Sequence, residues 1–116
     1  MPLFSATGTV IALLAGELFL GQAEGFLDGS GTLAIRSQAD AALSCRGQFT
    51  SNAAKGGEGR LQCSDGASGT FTFHRLDLHS GHGTGELPRG PIAFTYGLSA
   101  DQSRAYLKLP TGLDIR

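Results

Sequence analysis

At 116 residues, with 41% hydrophobic content and a formal net charge of −1, the chain is long enough for one domain with a modest core and no need of metal or many cross-links. Its nine basic residues form no run or stripe, which excludes nucleic-acid binding through phosphate neutralisation. No apolar stretch approaches the ~20 residues of a membrane-spanning helix.

Met1-Pro2-Leu3-Phe4 lacks the basic start of a signal peptide, and the apolar run from Val10 is stopped by Glu17. A reading as an exported protein therefore requires that a natural leader has been removed ahead of Met1. Residues 4–15 read as a first strand, because Ser5, Thr7 and Thr9 alternate until the apolar run and Gly8 and Gly16 disfavour a helix. Residues 17–26 read as a second strand, with Gly21 and Gly25 inside it. Asp28-Gly29-Ser30-Gly31 reads as a turn, residues 32–37 as a third strand, and residues 38–42 as a polar, alanine-rich connection.

The central stretch, residues 43–73, carries the clearest pattern. Its odd positions read Cys45, Gly47, Phe49, then Gly59, Leu61, Cys63, then Gly69, Phe71, Phe73. Such alternation marks half-buried antiparallel strands. Folding about Ala54 sets Cys45 opposite Cys63, Gly47 opposite Leu61 and Phe49 opposite Gly59. Folding about Asp40 sets Gly31 opposite Phe49, Leu33 opposite Gly47 and Ile35 opposite Cys45. Folding about Gly66 is expected to set Leu61 opposite Phe71 and Gly59 opposite Phe73. Large residues thus face glycines, and a ring over a cross-strand glycine shields exposed backbone. Residues 51–57 read as the longest loop between these strands.

After Phe73 the alternation changes phase towards Leu76 and Leu78, which places a β-bulge, or the strand end, near His74-Arg75. Residues 79–82 read as a glycine-rich turn. Folding about Pro88-Arg89-Gly90-Pro91 is expected to pair strands 83–87 and 92–96, with Leu87 opposite Ile92 and Gly85 opposite Phe94. Ser99 is a fair helix N-cap and Asp101 suits the first-turn dipole, so one or two helical turns before Pro110 are expected. Residues 111–116 read as a last short strand or a frayed tail. The fold class is all-β: an antiparallel meander of seven to eight strands in a rolled sheet or small barrel, with a short C-terminal helical turn. The whole chain, 1–116, is a single β-domain, with hairpins over about 19–97 and a helix or tail over 99–116.

Gly-x-Gly-x-Leu begins at Gly29, Gly57 and Gly83, one hairpin per period. Leu61-x-Cys63-x-Asp65-Gly66-x-x-Gly69-x-Phe71, followed by Gly81-x-Gly83-x-Gly85-x-Leu87, resembles a degenerate MORN-type hairpin repeat. Phe19-Leu20-Gly21 with Gly29-Ser30-Gly31-Thr32-Leu33 is similar to a poorer copy, so the resemblance spans residues 19–87 and implies stacked hairpins. The pattern is also similar to small exported bacterial β-domains of unassigned function.

Facing strands bring Cα atoms to ~4.5–5.5 Å, within reach of a disulfide, so a Cys45–Cys63 bond is expected. It would argue for a periplasmic, cell-surface or secreted protein. His74, His79 and His82 lie within nine residues, and His79 with His82 could share a zinc ion with Asp77. Solvated or hydrogen-bonded imidazoles at one hairpin end are the simpler reading. The serines lack a nucleophile-elbow context, and Glu58 and Glu86 hold matching repeat positions that suit a solvated face. Neither a cofactor nor catalysis is expected. Arg46 and Arg60 neighbour the glycine positions on adjacent strands and point away from the core, where two guanidiniums could hold an anionic group.

The first functional reading is a non-enzymatic, exported bacterial β-domain that binds or scaffolds a protein partner or envelope component through a sheet face or exposed edge. The alternative is a barrel that binds a small ligand or lipid, and the third is a metal-dependent enzyme built on the His cluster. A filled interior with a flat polar face marks the first, a roomy apolar interior the second, and bound metal the third. Because glycines and Phe rings oppose one another, a filled interior is expected.

Overall fold

A computed structural model describes residues 5–52, 56–77 and 79–109. Eight antiparallel strands follow one another around a closed barrel. They are β1 (Ser5–Leu14), β2 (Glu17–Phe26), β3 (Ser30–Ser37) and β4 (Ser44–Asn52), then β5 (Gly56–Cys63), β6 (Ser68–Asp77), β7 (Ser80–Leu87) and β8 (Gly90–Tyr96). Each strand pairs with the next, and β8 returns to β1 with Val10 opposite Tyr96 and Leu14 opposite Ile92. Closure leaves little unpaired edge in this sheet: β1 pairs with β8 only over Val10–Leu14, so among the described residues the exposed edge considered for partner binding is confined to the start of β1, which pairs with β2 alone. The meander is all-β, as the alternation implies, with one helix among the described residues, α1 (Ala100–Ser103).

The pleat sends alternate side chains into the barrel. Val10, Ala12 and Leu14 of β1, Leu33 and Ile35 of β3, and Ile92 and Phe94 of β8 join one buried cluster. Two hairpins have the expected register: Cys45 opposite Cys63 with Phe49 opposite Gly59, and Gly31 opposite Phe49 with Ile35 opposite Cys45. The cysteines form a disulfide with Cα atoms 3.9 Å apart.

Two other hairpins are displaced by two residues from the expected pairing. Across β5 and β6, Phe71 faces Gly59 and Leu61 faces Gly69, not Leu61 facing Phe71. The cause is a tighter loop. The Cys63 N–H donates to the Ala67 carbonyl, and the Gly66 N–H to the Cys63 carbonyl, leaving three loop residues that end on Gly66 at φ 90°. A glycine supplies that left-handed position at no steric cost. Across β7 and β8, Leu87 faces Gly90 and Gly85 faces Ile92, because Pro88-Arg89 alone makes the turn. A two-residue displacement keeps every side chain on its face, so the inside and outside sets are unchanged. β4 and β5 also run further than expected, with Ser51 opposite Gly57 and Asn52 opposite Gly56. Residues 53–55, Leu78 and the tail 111–116 lie outside the described residues. β3 begins at Ser30, two residues earlier than the expected strand. The expected phase change is a bulge between Arg75 and Asp77 on β6.

One end of the barrel is sealed by polar loops over an aliphatic plug. The buried Ser37 hydroxyl donates to the Glu17 carboxylate and accepts the Ala39 and Asp40 N–H groups at 3.1 and 3.0 Å. Ser64 ties the loop after β3 to the turn after β5, accepting the Ser44 N–H and donating to the Ala42 carbonyl. Leu14, Phe19, Ile35, Leu43, Leu87 and the disulfide pack beneath. Outside the barrel, Ile11 of β1 faces Thr95 of β8 and both are wholly buried. The helix supplies part of their cover. Ser99 and Gln102 cap it reciprocally, as the Ser99 reading anticipated in part. Because the Ser103 hydroxyl donates to the Ser99 carbonyl, Thr95 is the donor in its 2.7 Å bond to Ser103.

Two measurements check this construction. Removing the Phe71 ring, which is 4% exposed, by Phe71→Ala should cost ~3–5 kcal/mol in urea unfolding, and unchanged unfolding would overturn the register. Breaking the disulfide by Cys45→Ala with Cys63→Ala, which opens a sequence separation of 18, should lower stability by roughly 3 kcal/mol while far-ultraviolet circular dichroism stays that of a β-barrel.

Candidate ligand cup

Among the described residues the opposite end of the barrel is open and hollow. A cavity of about 480 Å³ lies between the start of β1, the β2–β3 turn and the ends of β4, β6 and β8. Its far wall is aromatic: Phe49 of β4, Phe71 and Phe73 of β6, and Phe94 and Tyr96 of β8. Its near wall is small, with Gly8 and Val10 on β1 and Ala23 and Gly25 on β2.

The pairing explains how five rings can share a barrel and leave it hollow. Phe49 lies over Gly31, Phe73 over Gly57, Phe71 over Gly59, Phe94 over Gly83 and Tyr96 over Gly81. A Cβ added at any of these glycines would fall under 3.0 Å from the ring it faces. Each ring therefore leans onto the preceding strand's backbone, along the wall and not across the lumen. The rings also meet one another edge-on. Phe49–Phe73 centroids are 5.5 Å apart at 79°, Phe71–Phe94 are 5.3 Å apart at 87°, and Phe73–Tyr96 are 6.0 Å apart at 84°. Such edge-to-face contacts fix ring orientation beyond what burial alone does. The expected filled interior is thus corrected: the sealed end is filled, and the other end is a cup.

Polar groups are confined to the mouth. Arg75, half-buried on β6 just before the bulge, lines the cup and lies beside Tyr96. Burial holds the Tyr96 phenol above its ordinary pKa, and the Arg75 guanidinium and its hydrogen bond act in the opposite direction. Asp77, two residues on, is committed to the turn: the His79 N–H donates to it at 2.8 Å. That bond, then one from Ser80, holds its carboxyl below the usual range. His79 itself lines the mouth.

The residues singled out from sequence separate. His79 is at the mouth, whereas His82 is on the outer face of β7, opposite His74, with ring centroids 5.7 Å apart. His82 is stacked on Tyr106 at 4.1 Å, and burial, then the neighbouring His74, depresses its pKa. Among the described residues no three His, Cys, Asp or Glu side chains gather as a metal-binding group. Arg46 faces Gln62 and Arg60 faces Gln48, both exposed on the outer face of β4 and β5, and neither lines the cavity. Arg75 and Tyr96 were not singled out. The available signal was parity: Arg75 continues the inward set Phe71, Phe73, and Tyr96 continues Ile92, Phe94.

Among the described residues no helix is long and apolar enough to cross a membrane. No protein-family model matches the chain, and neither a curated protein nor a solved structure matches it.

The mouth geometry has a spectroscopic consequence. In a Tyr106→Phe background Tyr96 is the only tyrosine, so ultraviolet titration reads it alone. Its phenol should ionise above ~10, and later still when Arg75→Gln removes the neighbouring cation. Because the folded pKa is the raised one, this group's contribution to stability is full below ~10 and is lost as pH climbs through the folded value. An ordinary Tyr96 titration that ignores Arg75→Gln would mean the two side chains do not meet.

Proposed function

We propose that this protein is an exported, non-enzymatic binding protein that holds one small, largely apolar molecule in the cup. The observation that carries the reading is the hollow of about 480 Å³ walled by five aromatic rings. That volume falls within the ~300–1,000 Å³ of small-molecule sites, and eight strands give an interior suited to a single ligand. Rings already held against glycine backbone need no rearrangement to receive a guest, which lowers the ordering cost of binding. The Cys45–Cys63 disulfide supports an oxidising compartment, such as the periplasm, cell surface or exterior. Scaffolding of a partner keeps only the short unpaired start of β1 as an edge-pairing route, and Arg46 and Arg60 lie outside the cup.

The test uses a cavity filler that the wall tolerates. A Cβ at Gly25, on the small wall of the cup, would meet nothing within 4 Å. Gly25→Phe should therefore project a ring into open space. The wild type should enhance the fluorescence of the neutral dye N-phenyl-1-naphthylamine in a saturable, one-to-one manner. Gly25→Phe should abolish the enhancement with a melting temperature unchanged or raised. Dye binding by a folded Gly25→Phe protein equal to that of the wild type would place the apolar site elsewhere, and no saturable binding by the wild type would overturn the reading.

A further inference from the structure

Resting on the proposed ligand cup, we infer that its occupant is an amphiphile with a single carboxylate, seated with the apolar body among the rings and the carboxylate at the mouth against Arg75 and Tyr96. Among the described residues Arg75 is the one Arg or Lys side chain lining the cavity, and no Asp or Glu lines it. Among the described residues it makes no salt bridge: the carboxylate ion pairs formed elsewhere are Arg89–Asp65 and Arg104–Asp101. A half-buried guanidinium at the rim of an apolar cavity thus faces its lumen with its charge uncompensated by a carboxylate. Its fork geometry suits bidentate carboxylate recognition.

Two nearby groups bear on the same point. The Tyr96 hydroxyl can donate to an anion, since a phenol keeps its proton at neutral pH. Asp77 is a competing charge, since its field also reaches Tyr96. Its carboxylate already accepts from the His79 N–H and from Ser80, and therefore anchors the turn. Among the described residues His79 is the remaining titratable group lining this mouth. The position of Arg75 matters as much as its charge. At the open end the ligand carboxylate keeps part of its hydration, so the desolvation that would penalise an anion deeper in the cup is largely avoided. A neutral head of the same shape would gain no charge-assisted bond, and a cationic head would be repelled.

The test compares dodecanoic acid with dodecan-1-ol, which share a body and differ in the head. Each displaces N-phenyl-1-naphthylamine from the protein at neutral pH and below the micellar range. The acid should bind about tenfold or more tightly than the alcohol, as expected of hydrogen bonds to a charged group. Arg75→Gln should reduce that ratio to within about twofold, while Arg75→Lys should retain a clear preference for the acid. In the Tyr106→Phe background, bound dodecanoate should raise the Tyr96 pKa further, because an adjacent anion disfavours phenolate. Equal binding of acid and alcohol by the wild type, or a preference untouched in folded Arg75→Gln, would overturn the carboxylate inference and leave the cup standing. Failure of both molecules to displace the dye, or of the dye to bind, would instead remove the cup on which the inference rests.

Discussion

The contact on which the rest of this structure depends is an aromatic ring lying on a cross-strand glycine. It occurs with Phe49 on Gly31, Phe71 on Gly59, Phe73 on Gly57, Phe94 on Gly83 and Tyr96 on Gly81, with the ring always leaning onto the preceding strand. A side chain at any of these glycines would push the ring towards the barrel axis. The same contact fixes the parity of the register. A one-residue slip would turn the rings out to solvent, whereas a two-residue slip would set Phe73 on Gly59 and Phe94 on Gly85, so the turns choose between the even registers. The high glycine content is therefore wall, not linker. It gives up strand propensity locally and gains a lining of oriented aromatic surface.

Much of this was legible from parity alone. Alternation across residues 45–73 identifies the inward set, the facing cysteines and the antiparallel meander, because the two-residue period is the most direct consequence of strand geometry. The two displaced hairpins show what parity leaves open. Pairing residues by mirror symmetry needs the loop length, and loop length is set by local turn chemistry: Gly66 at φ 90° closes a three-residue loop, and Pro88-Arg89 closes a two-residue one. Since both displacements are even, the core was assigned correctly while its cross-strand partners were not. The interior was missed for a different reason. Alternation says that a ring points inward, not which way it tilts, and tilt decides between a filled barrel and a cup. The histidines illustrate the same limit. His79 and His82 look adjacent along the chain, yet a turn and one strand step send one to the mouth and the other to the outer face, where it meets His74 and Tyr106.

The two ends of the barrel are built on opposite terms, and the sealed end makes the hollow one tenable. Rings bordering a cavity have packing partners on one side only and lose dispersion energy on the other. That loss is confined to one half of the molecule. In the other half, Leu14, Phe19, Ile35, Leu43 and Leu87 interdigitate around the disulfide. The Ser37–Glu17 and Ser64 hydrogen bonds hold the connecting loops over them. Closure transmits this rigidity along the strands, because the circumference of a barrel is common to both ends once strand number and stagger are fixed. The cup does not need its contents to stay open. It needs only that β4, β6 and β8 keep their glycine-bearing neighbours alongside, which the ladders from the sealed end enforce. A guest that fills the cup would restore the missing contacts and add its binding energy to folding stability. The mouth pair of Arg75 and Tyr96 stands where such a guest would still meet water, so polarity there and apolarity below follow from one gradient of solvation along the barrel axis.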